Sequence, residues 1–490
     1  MGMTSADFLA ILPMALLVTW ACVLLLVDLF VKRKGLTAAL AALGLAVTLG
    51  VTLSQGTRER VAFGGMISQD GFAVFLSAIL LGGGIISIAL SQDYIRRMGL
   101  ERGEYYTLML FAVSGMMLMA YAADLIVVFL ALELFSIPLY ILAGFARPRV
   151  DSEESAMKYF LIGAFSSAIM VYGIALVYGG VGTTSLAGIV AGLVGGGFNV
   201  TMFTLGGGLI LVGLGFKVGA VPFHMWTPDV YQGAPSSVTA FMAVGAKVGG
   251  FAALLRVFVT AFGSHYSVVA DLTPIVWGLS AVTMIVGNVL AISQGNIKRL
   301  LAFSSISHAG YILMAFVAFA QESVARDAVA SALFYLLAFA VTSFGAWAVV
   351  ISLERAEDGT DGLRQGLRLE DYAGLGRSHP VMALAMTIFM LSFTGLPPTL
   401  GFAGKLFLFR TALEGGYVGL AVIGVVTSLV SAYYYLRLVI IMYMQDGEPV
   451  VHRERWAQGT LVASAVATVL LTILASPLFA WAANSVLHLF

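Results

Sequence analysis

Long apolar runs alternate along this chain with short polar links. A helix crossing the hydrocarbon of a bilayer needs about 20 mostly apolar residues. Fourteen stretches meet that requirement, at about 8–30, 36–54, 71–91, 105–122, 125–145, 156–178, 200–221, 236–262, 272–293, 300–319, 327–353, 380–410, 417–443 and 459–486. The pattern predicts an all-α integral membrane protein of about 14 transmembrane helices. The link 180–199 is rich in glycine and carries no charge, which suits the membrane interface. The largest polar loop, about 354–379, is too small for a soluble domain.

Composition supports the same class. The 490 residues are 60% hydrophobic and 11% charged, against about 45–50% and 25% in soluble domains. A soluble fold of this composition could not cover its surface with polar groups, so the solvent is lipid. Basic and acidic residues balance at 26 each, and no electrostatic footprint for nucleic acid is present. Cys22 is the single cysteine. That excludes disulfides within the chain, cysteine-ligated zinc and iron–sulfur clusters. The first run, Phe8 to Phe30, is too long for the apolar core of a signal peptide and no cleavage site follows it.

Basic residues orient the spans. Lys32, Arg33, Lys34, Arg96, Arg97, Arg102, Arg147, Arg149, Lys158, Lys298, Arg299, Arg355, Arg364, Arg368, Arg377, Arg453 and Arg455 follow odd-numbered spans or their links, and all fall on one side. Arg58, Arg60, Arg326 and Arg410 fall on the other. The basic-rich side is the expected cytoplasmic one, and both termini are expected on the opposite side.

The remaining basic residues, Lys217, Lys247, Arg256, Lys405 and Arg437, lie inside predicted spans, as does Glu133. A charge at the bilayer centre costs about 2.5–3.5 kcal/mol on insertion scales, and such groups mark ion or proton paths when they face a bundle interior. Structural ion pairing and snorkelling are the competing explanations. For Arg256 and Arg437, nearer span ends, snorkelling competes evenly. It fails for Lys247, which lies about 16 Å into its span at 1.5 Å per residue. Lysine is the informative choice. Burial lowers its pKa and a nearby carboxylate raises it, whereas arginine stays charged. Glu133, Lys217, Lys247 and Lys405 therefore form a candidate proton relay. His308, with Ser304, Ser305 and Ser307 beside it, could bridge it or be a hydrogen-bonded core histidine.

Two spans carry helix breakers beside a lysine. Span 7 reads Gly213-Leu214-Gly215-Phe216-Lys217-Val218-Gly219, and span 12 reads Gly395-Leu396-Pro397-Pro398-Thr399-Leu400-Gly401-Phe402-Ala403-Gly404-Lys405. Interrupted helices at membrane depth persist only beside protein or water, and corresponding breaks in two halves point to an internally repeated transporter. Spans 7 and 12 are five apart. An odd offset reverses direction across the membrane, so such a repeat is inverted.

The segment Pro222-Phe223-His224-Met225-Trp226-Thr227-Pro228-Asp229-Val230-Tyr231-Gln232-Gly233-Ala234-Pro235 resembles the loop between spans 7 and 8 of the proton-translocating subunits of NADH-quinone oxidoreductase, respiratory complex I. So do Asn296-Ile297-Lys298-Arg299-Leu300-Leu301-Ala302-Phe303-Ser304-Ser305-Ile306-Ser307-His308 and Ala131-Leu132-Glu133-Leu134-Phe135-Ser136-Ile137-Pro138-Leu139-Tyr140. The resemblance covers roughly 70–480. It implies an N-terminal three-helix segment at 1–104, five-helix bundles at 105–262 and 272–443 (spans 4–8 and 9–13) related by inversion, and a C-terminal helix at 459–490. It implies that Glu133 and Lys217 form a modulating pair, that Lys247 is central and that Lys405 is the terminal charge. Among the three antiporter-like types, the loop wording and length are most similar to the N type, the bacterial counterpart of mitochondrial subunit 2. The L type has a long C-terminal extension, absent here, and the M type usually has Glu at the Lys405 position.

The resemblance further implies a multi-pass protein of the bacterial inner membrane with periplasmic termini. Its partners would be the M-type subunit, the small K- and J-type subunits and membrane lipids. NADH, FMN, iron–sulfur clusters and quinone would belong to partner subunits, with no cofactor or metal in this chain. Alternatives are a subunit of a multisubunit cation/proton antiporter, which shares these bundles, a stand-alone solute transporter and an inert scaffold. The transporter lacks a polar substrate pocket in this reading, and the scaffold leaves four costly charges unexplained.

Overall fold

The computed structural model describes residues 4–56, 58–262, 266–356 and 364–486, with only the backbone for 266–271, 356 and 364. Phe490 and the side chain of Arg364 lie outside the described residues. The chain opens with α1 (Ser5–Asp28), α2 (Lys34–Gln55) and α3 (Gly71–Arg97), with a small hairpin of β1 (Arg60–Ala62) and β2 (Ile67–Gln69) before α3. There follow α4 (Glu104–Tyr121), α5 (Leu125–Ala143), α6 (Val150–Val181), the short α7 (Leu186–Gly195) and α8 (Val200–Val218). Next come the loop helix α9 (Trp226–Gly233) and α10 (Ser236–Leu254), which continues as a π-helical segment, Leu255–Phe262. Then come α11 (Tyr266–Ile292), α12 (Ile297–Phe319), α13 (Ala325–Leu353), a second hairpin of β3 (Arg355–Ala356) and β4 (Arg364–Gln365), and α14 (Leu375–Ser378). The chain ends with α15 (Pro380–Thr394), α16 (Leu400–Glu414), α17 (Val418–Met444), α18 (Arg455–Ile473) and α19 (Ala475–Asn484).

Twelve of the described helical segments are long and apolar enough to cross a membrane. The other two predicted spans are also helical: α4, with 18 residues, and the broken pair α15–α16. The fourteen apolar runs of the sequence thus all became helices, with two differences. The glycine-rich link forms α7, which buries Leu186, Ile189 and Leu193. The last run is not one helix but α18 and α19. Pro477 has no N–H and its ring clashes with the carbonyl four residues back, which belongs to Ile473, the last residue of α18. The hairpins lie in polar links, where two or three residues per strand leave no periodicity to read.

Burial is graded. Every residue of α10 is buried, and α12 and α13 are nearly so, while α1, α2 and α18 keep broad apolar faces outward. A helix apolar on all sides sits in the core of the fold, and α10 packs against α3, α4, α8 and α13. Close approach between α6 and α8 depends on small residues. A Cβ on Gly173 would lie 2.7 Å from the Gly206 carbonyl, and one on Gly206 equally close to that of Gly173. Small-residue seams of this kind let membrane helices pack backbone to backbone.

The two breaks are built alike. Gly219 (φ 75°) and Gly395 (φ 86°) are left-handed and end α8 and α15. Ala220 N–H then reaches the Gly215 carbonyl at 2.9 Å, and Leu396 N–H the Leu391 carbonyl at 3.0 Å. These are Schellman closures, which satisfy orphan carbonyls at a helix end. A cis peptide follows each, Val221–Pro222 and Pro397–Pro398. Thr399 then caps α16, its hydroxyl accepting from Phe402 N–H at 3.4 Å.

Candidate functional site

The candidate relay residues occupy three neighbouring places. The first joins α5, α6 and α8. Lys217 is 3% exposed and lies in the last turn of α8, where the helix dipole favours a cation. Its ammonium sits 5.1–5.5 Å from the ring centres of Phe135, Tyr140, Tyr159 and Phe216. It donates to the Tyr140 hydroxyl at 3.2 Å. Glu133 is partly exposed and accepts from Ser167 of α6. The two charges expected to pair make no direct ion pair; each is held by a hydroxyl instead. Trp226, from the quoted loop motif, donates its indole N–H to the Phe216 carbonyl at 2.9 Å and so helps close the break.

The second place is the middle of α10. Lys247 is 4% exposed, donates to the Ser305 carbonyl of α12, and lies 5.2 Å from the Phe339 ring centre. Gly250, one turn on along the same face, packs against Lys217: a Cβ there would sit 3.4 Å from Lys217 Cβ. That contact brings the first two places together.

The third joins α12, α13, α15, α16 and α17. His308 is buried, and both ring nitrogens are bonded to phenols: Nδ1 to Tyr335 at 2.6 Å and Nε2 to Tyr435 at 3.2 Å. Tyr435 also bonds Ser304, next to the Ser305 whose carbonyl holds Lys247. Lys405 donates to the Thr394 carbonyl at 2.9 Å and to Ser428 at 2.6 Å, and sits 4.5 Å from the Tyr311 ring centre. Thr394 is the last residue of α15, so the ammonium caps the negative end of that half-helix. Tyr311 lies beside His308, with ring centres 5.9 Å apart, and its hydroxyl is 3.3 Å from both Asn288 and Thr427.

The two charges left open in the sequence part here. Arg256 does not snorkel. It is 3% exposed, forms a two-pronged pair with Asp70 (3.0 Å for one prong) and donates to the Ala120 carbonyl. It ties the π-helical end of α10 to the start of α3, a structural role. Arg437 is half-buried and donates to the Ile292 carbonyl at 3.4 Å.

Sequence reasoning missed Tyr140, Ser167, Tyr335, Tyr435 and Ser428. One signal was available: Thr427, Ser428, Ser431, Tyr434 and Tyr435 recur at helical spacing along one face of α17. Outside the spans, Asp229 of α9 takes ion pairs from Lys158 of α6 and Arg299 of α12, each at 2.8 Å. Burial pushes its carboxyl up, but hydrogen bonds from Lys158 and Arg299 outweigh that and hold its pKa below the ordinary 3.8. Among the described residues no three His, Cys, Asp or Glu side chains gather as a metal site.

Residues 122–431 match the sequence model of a family described as NADH:quinone oxidoreductase/Mrp antiporter, transmembrane. NADH-quinone oxidoreductase subunit N of Chloroflexus aggregans is 44% identical over 99% of this chain and 98% of its own length. That of Trichlorobacter lovleyi is 46% identical over 89% and 88%. A chain of respiratory complex I from Thermus thermophilus superposes with TM-score 0.82 at 35% identity, covering 96% of this chain and 99% of that one. A chain of the Mrp complex from Dietzia sp. DQ12-45-1b has TM-score 0.84 at 19% identity over 99% and 97%, a likeness of fold alone. With a buried lysine beside each of two matching helix breaks and near-full-length relatives at this level of identity, the chain belongs to the NADH-quinone oxidoreductase subunit N family.

Proposed function

We propose that the chain carries protons along a buried relay of Glu133, Lys217, Lys247, His308 and Lys405. It is an antiporter-like membrane subunit of the proton-translocating NADH-quinone oxidoreductase. The observation that carries the relay is the set of hydroxyls bonded to its titratable groups: Tyr140 on Lys217, Tyr335 and Tyr435 on His308, Ser428 on Lys405. A neutral imidazole has one donor and one acceptor nitrogen. Held between two phenols, each able to give or take a proton, His308 is placed to exchange protons on both sides. Lys247 is the central carrier, and Lys405 accepts the proton last and releases it toward the side of the termini.

The rest of the reading follows the family. Residues 105–262 and 272–443 act as two bundles related by inversion, with 1–104 and 459–490 flanking them. The chain lies in a bacterial inner membrane with both termini periplasmic. M-type, K-type and J-type subunits are its neighbours. Glu133, partly exposed at mid-helix, is expected to face one of them, because a carboxylate left to lipid is too costly. NADH, FMN, iron–sulfur clusters and quinone belong to partner subunits, which drive the relay by redox chemistry. The cation/proton antiporter reading rests on a likeness of fold at 19% identity, whereas the near-full-length relatives point to subunit N.

Replacing Lys247 by alanine tests the relay. An alanine methyl cannot hold a proton, and every residue of α10 is buried, so pumping by the assembled complex should fall below a tenth of wild type, about 1.4 kcal/mol in barrier terms. Normal pumping at equal complex content would remove Lys247 from the path.

A further inference from the structure

Asn288 of α11 is fully buried and is not one of the groups of the relay. An amide inside a membrane bundle is costly unless its polar atoms are bonded, and here both ends are. The amide nitrogen donates to the Met284 carbonyl at 2.7 Å and to the Tyr311 hydroxyl at 3.3 Å, and the amide oxygen accepts from Tyr434 at 2.9 Å. These bonds tie α11 to α12 and α17. An amide has one donor end and one acceptor end, and a carbonyl only accepts. The Met284 carbonyl therefore fixes which end is which, so the bond to Tyr311 runs from Asn288 to the phenol oxygen.

The far side of Tyr311 is fixed as well. Thr427 lies 3.3 Å from that hydroxyl and gives its own single hydrogen to the Ile423 or Gly424 carbonyl, at 2.8 and 3.1 Å. Thr427 is thus left to accept from Tyr311. The Tyr311 hydroxyl accepts from α11 and donates to α17, and its direction is set from both ends by carbonyls. Tyr335 and Tyr435 differ, because each meets an imidazole nitrogen that can give or take. What Tyr311 offers the relay is its ring face, whose centre lies 4.5 Å from the Lys405 ammonium. Ring faces attract cations.

We propose that Asn288 is a positioning residue for Lys405: it pins the Tyr311 hydroxyl between α11 and α17 and so holds the ring face against the ammonium. Tyr311 is then a strut and not a carrier. The ammonium is held by that ring together with the Thr394 carbonyl and Ser428. The effect on pumping rests on the relay reading; the lock itself does not.

The test uses the whole complex. Leucine has the branched skeleton of asparagine and no polar atom. In the structure of the assembled Asn288→Leu enzyme, the Tyr311 ring should turn off the Lys405 ammonium. Pumping at equal complex content should fall about threefold, the scale of one cation–π contact. The alkaline limb of pumping against pH should also move to lower pH, since the ammonium form has lost a favourable contact. A merely structural amide would lower assembly and leave that limb in place. Tyr311→Phe keeps the ring, removes its anchor and disturbs the packing least. It should show the same shift, and the double variant should be no worse than either single one. Tyr434→Phe leaves the donor end of Asn288 intact and should leave the ring where it is. A Tyr311 ring still on Lys405 in Asn288→Leu, a ring equally displaced in Tyr434→Phe, or lower pumping with an unmoved alkaline limb overturns the lock. A displaced ring with normal pumping leaves the lock standing and removes Lys405 from the relay.

Discussion

Lys217 and Lys405 sit beside the same backbone device and are held in opposite ways. Each adjoins a half-helix ended by a left-handed glycine and a Schellman closure. Lys217 lies before its break, on the half-helix that ends there, caged by four aromatic rings, with one phenol as hydrogen-bond partner and Glu133 of α5 in the same bundle. Lys405 lies after its break and reaches back to the half-helix that ended, with a carbonyl and a hydroxyl as partners and, among the described residues, no carboxylate within ion-pair distance. In the proposed relay, a proton on Lys217 would be governed by the Glu133 charge, which a neighbouring subunit could influence. A proton on Lys405 is governed by a fixed dipole and a rotatable hydroxyl. The first arrangement suits a group that receives a signal, and the second a group that loads and discharges.

The largest expected effect is at Lys405. Arginine keeps the positive charge but does not release a proton at reachable pH. Glutamate can switch: protonated, it donates to the Thr394 carbonyl as the ammonium does; ionised, it accepts from Ser428. Lys405→Arg should therefore cut pumping in membrane vesicles by tenfold or more, about 1.4 kcal/mol or above, and Lys405→Glu by less. The reverse order would make Lys405 a structural charge, as Arg256 is.

Glu133 comes next. Glu133→Gln keeps the shape and the bond from Ser167 but removes the charge that favours protonated Lys217. Pumping should fall about fivefold, roughly 1 kcal/mol, with Glu133→Asp milder. Equal pumping by the two variants would show that Lys217 is governed by its aromatic cage and the phenol alone.

The breaks themselves separate the two regions on a smaller scale. Gly395→Ala and Gly219→Ala each force a side chain into left-handed backbone, at about 1–2 kcal/mol. On Gly219 the new Cβ would meet the Thr227 hydroxyl at 3.2 Å and Ile306 at an ordinary 3.8 Å, but on Gly395 it would lie 2.7 Å from Lys405 Cδ. Both variants should lower the melting temperature of the complex by similar amounts, and Gly395→Ala alone should also slow pumping in assembled enzyme. Equal pumping would mean the Lys405 stem shifts without consequence.

What the sequence made legible follows from the range of each interaction. A lysine inside an apolar run is conspicuous in one dimension, so Lys217, Lys247 and Lys405 stood out before any fold was known. Glycine and proline mark backbone locally, so both breaks were readable. Pro477 was equally local and was passed over because the run around it is apolar throughout. Partners across the fold were not readable. Nothing near Arg256 in sequence points to Asp70, 186 residues away, and snorkelling stayed open until that contact was seen. Tyr335 and Tyr435 look like ordinary core aromatics until two helices bring them to either side of one imidazole. Glu133 and Lys217, a modulating pair by the family resemblance, bond to Ser167 and Tyr140 and not to each other, and spacing along helices does not say which side chain stands nearest.

The smallest effect belongs to Asp229, which joins the two regions from outside the membrane. Its carboxylate holds Lys158 of the helix beside Lys217 and Arg299 at the start of the helix that carries His308. These pairs are partly exposed, and exposed pairs contribute about 0.2–1 kcal/mol each. Asp229→Asn should therefore cost the complex about 1 kcal/mol at neutral pH. The pH dependence has a definite sign. A carboxyl whose pKa in the folded chain lies below 3.8 binds fewer protons folded than unfolded, so its stabilisation is complete above 3.8 and is lost below that, as pH falls through the lowered folded value. Between pH 5 and 9 the gap between wild type and Asp229→Asn should stay constant, and it should close as acid protonates the carboxylate. Salt gives the independent check, since the screening length shrinks to about 3 Å at 1 M. The difference in melting temperature between wild type and variant should narrow from 0.05 M to 1 M salt. An undiminished difference at 1 M would mean that Asp229 acts through loop packing and not as an ionic clamp between the two regions.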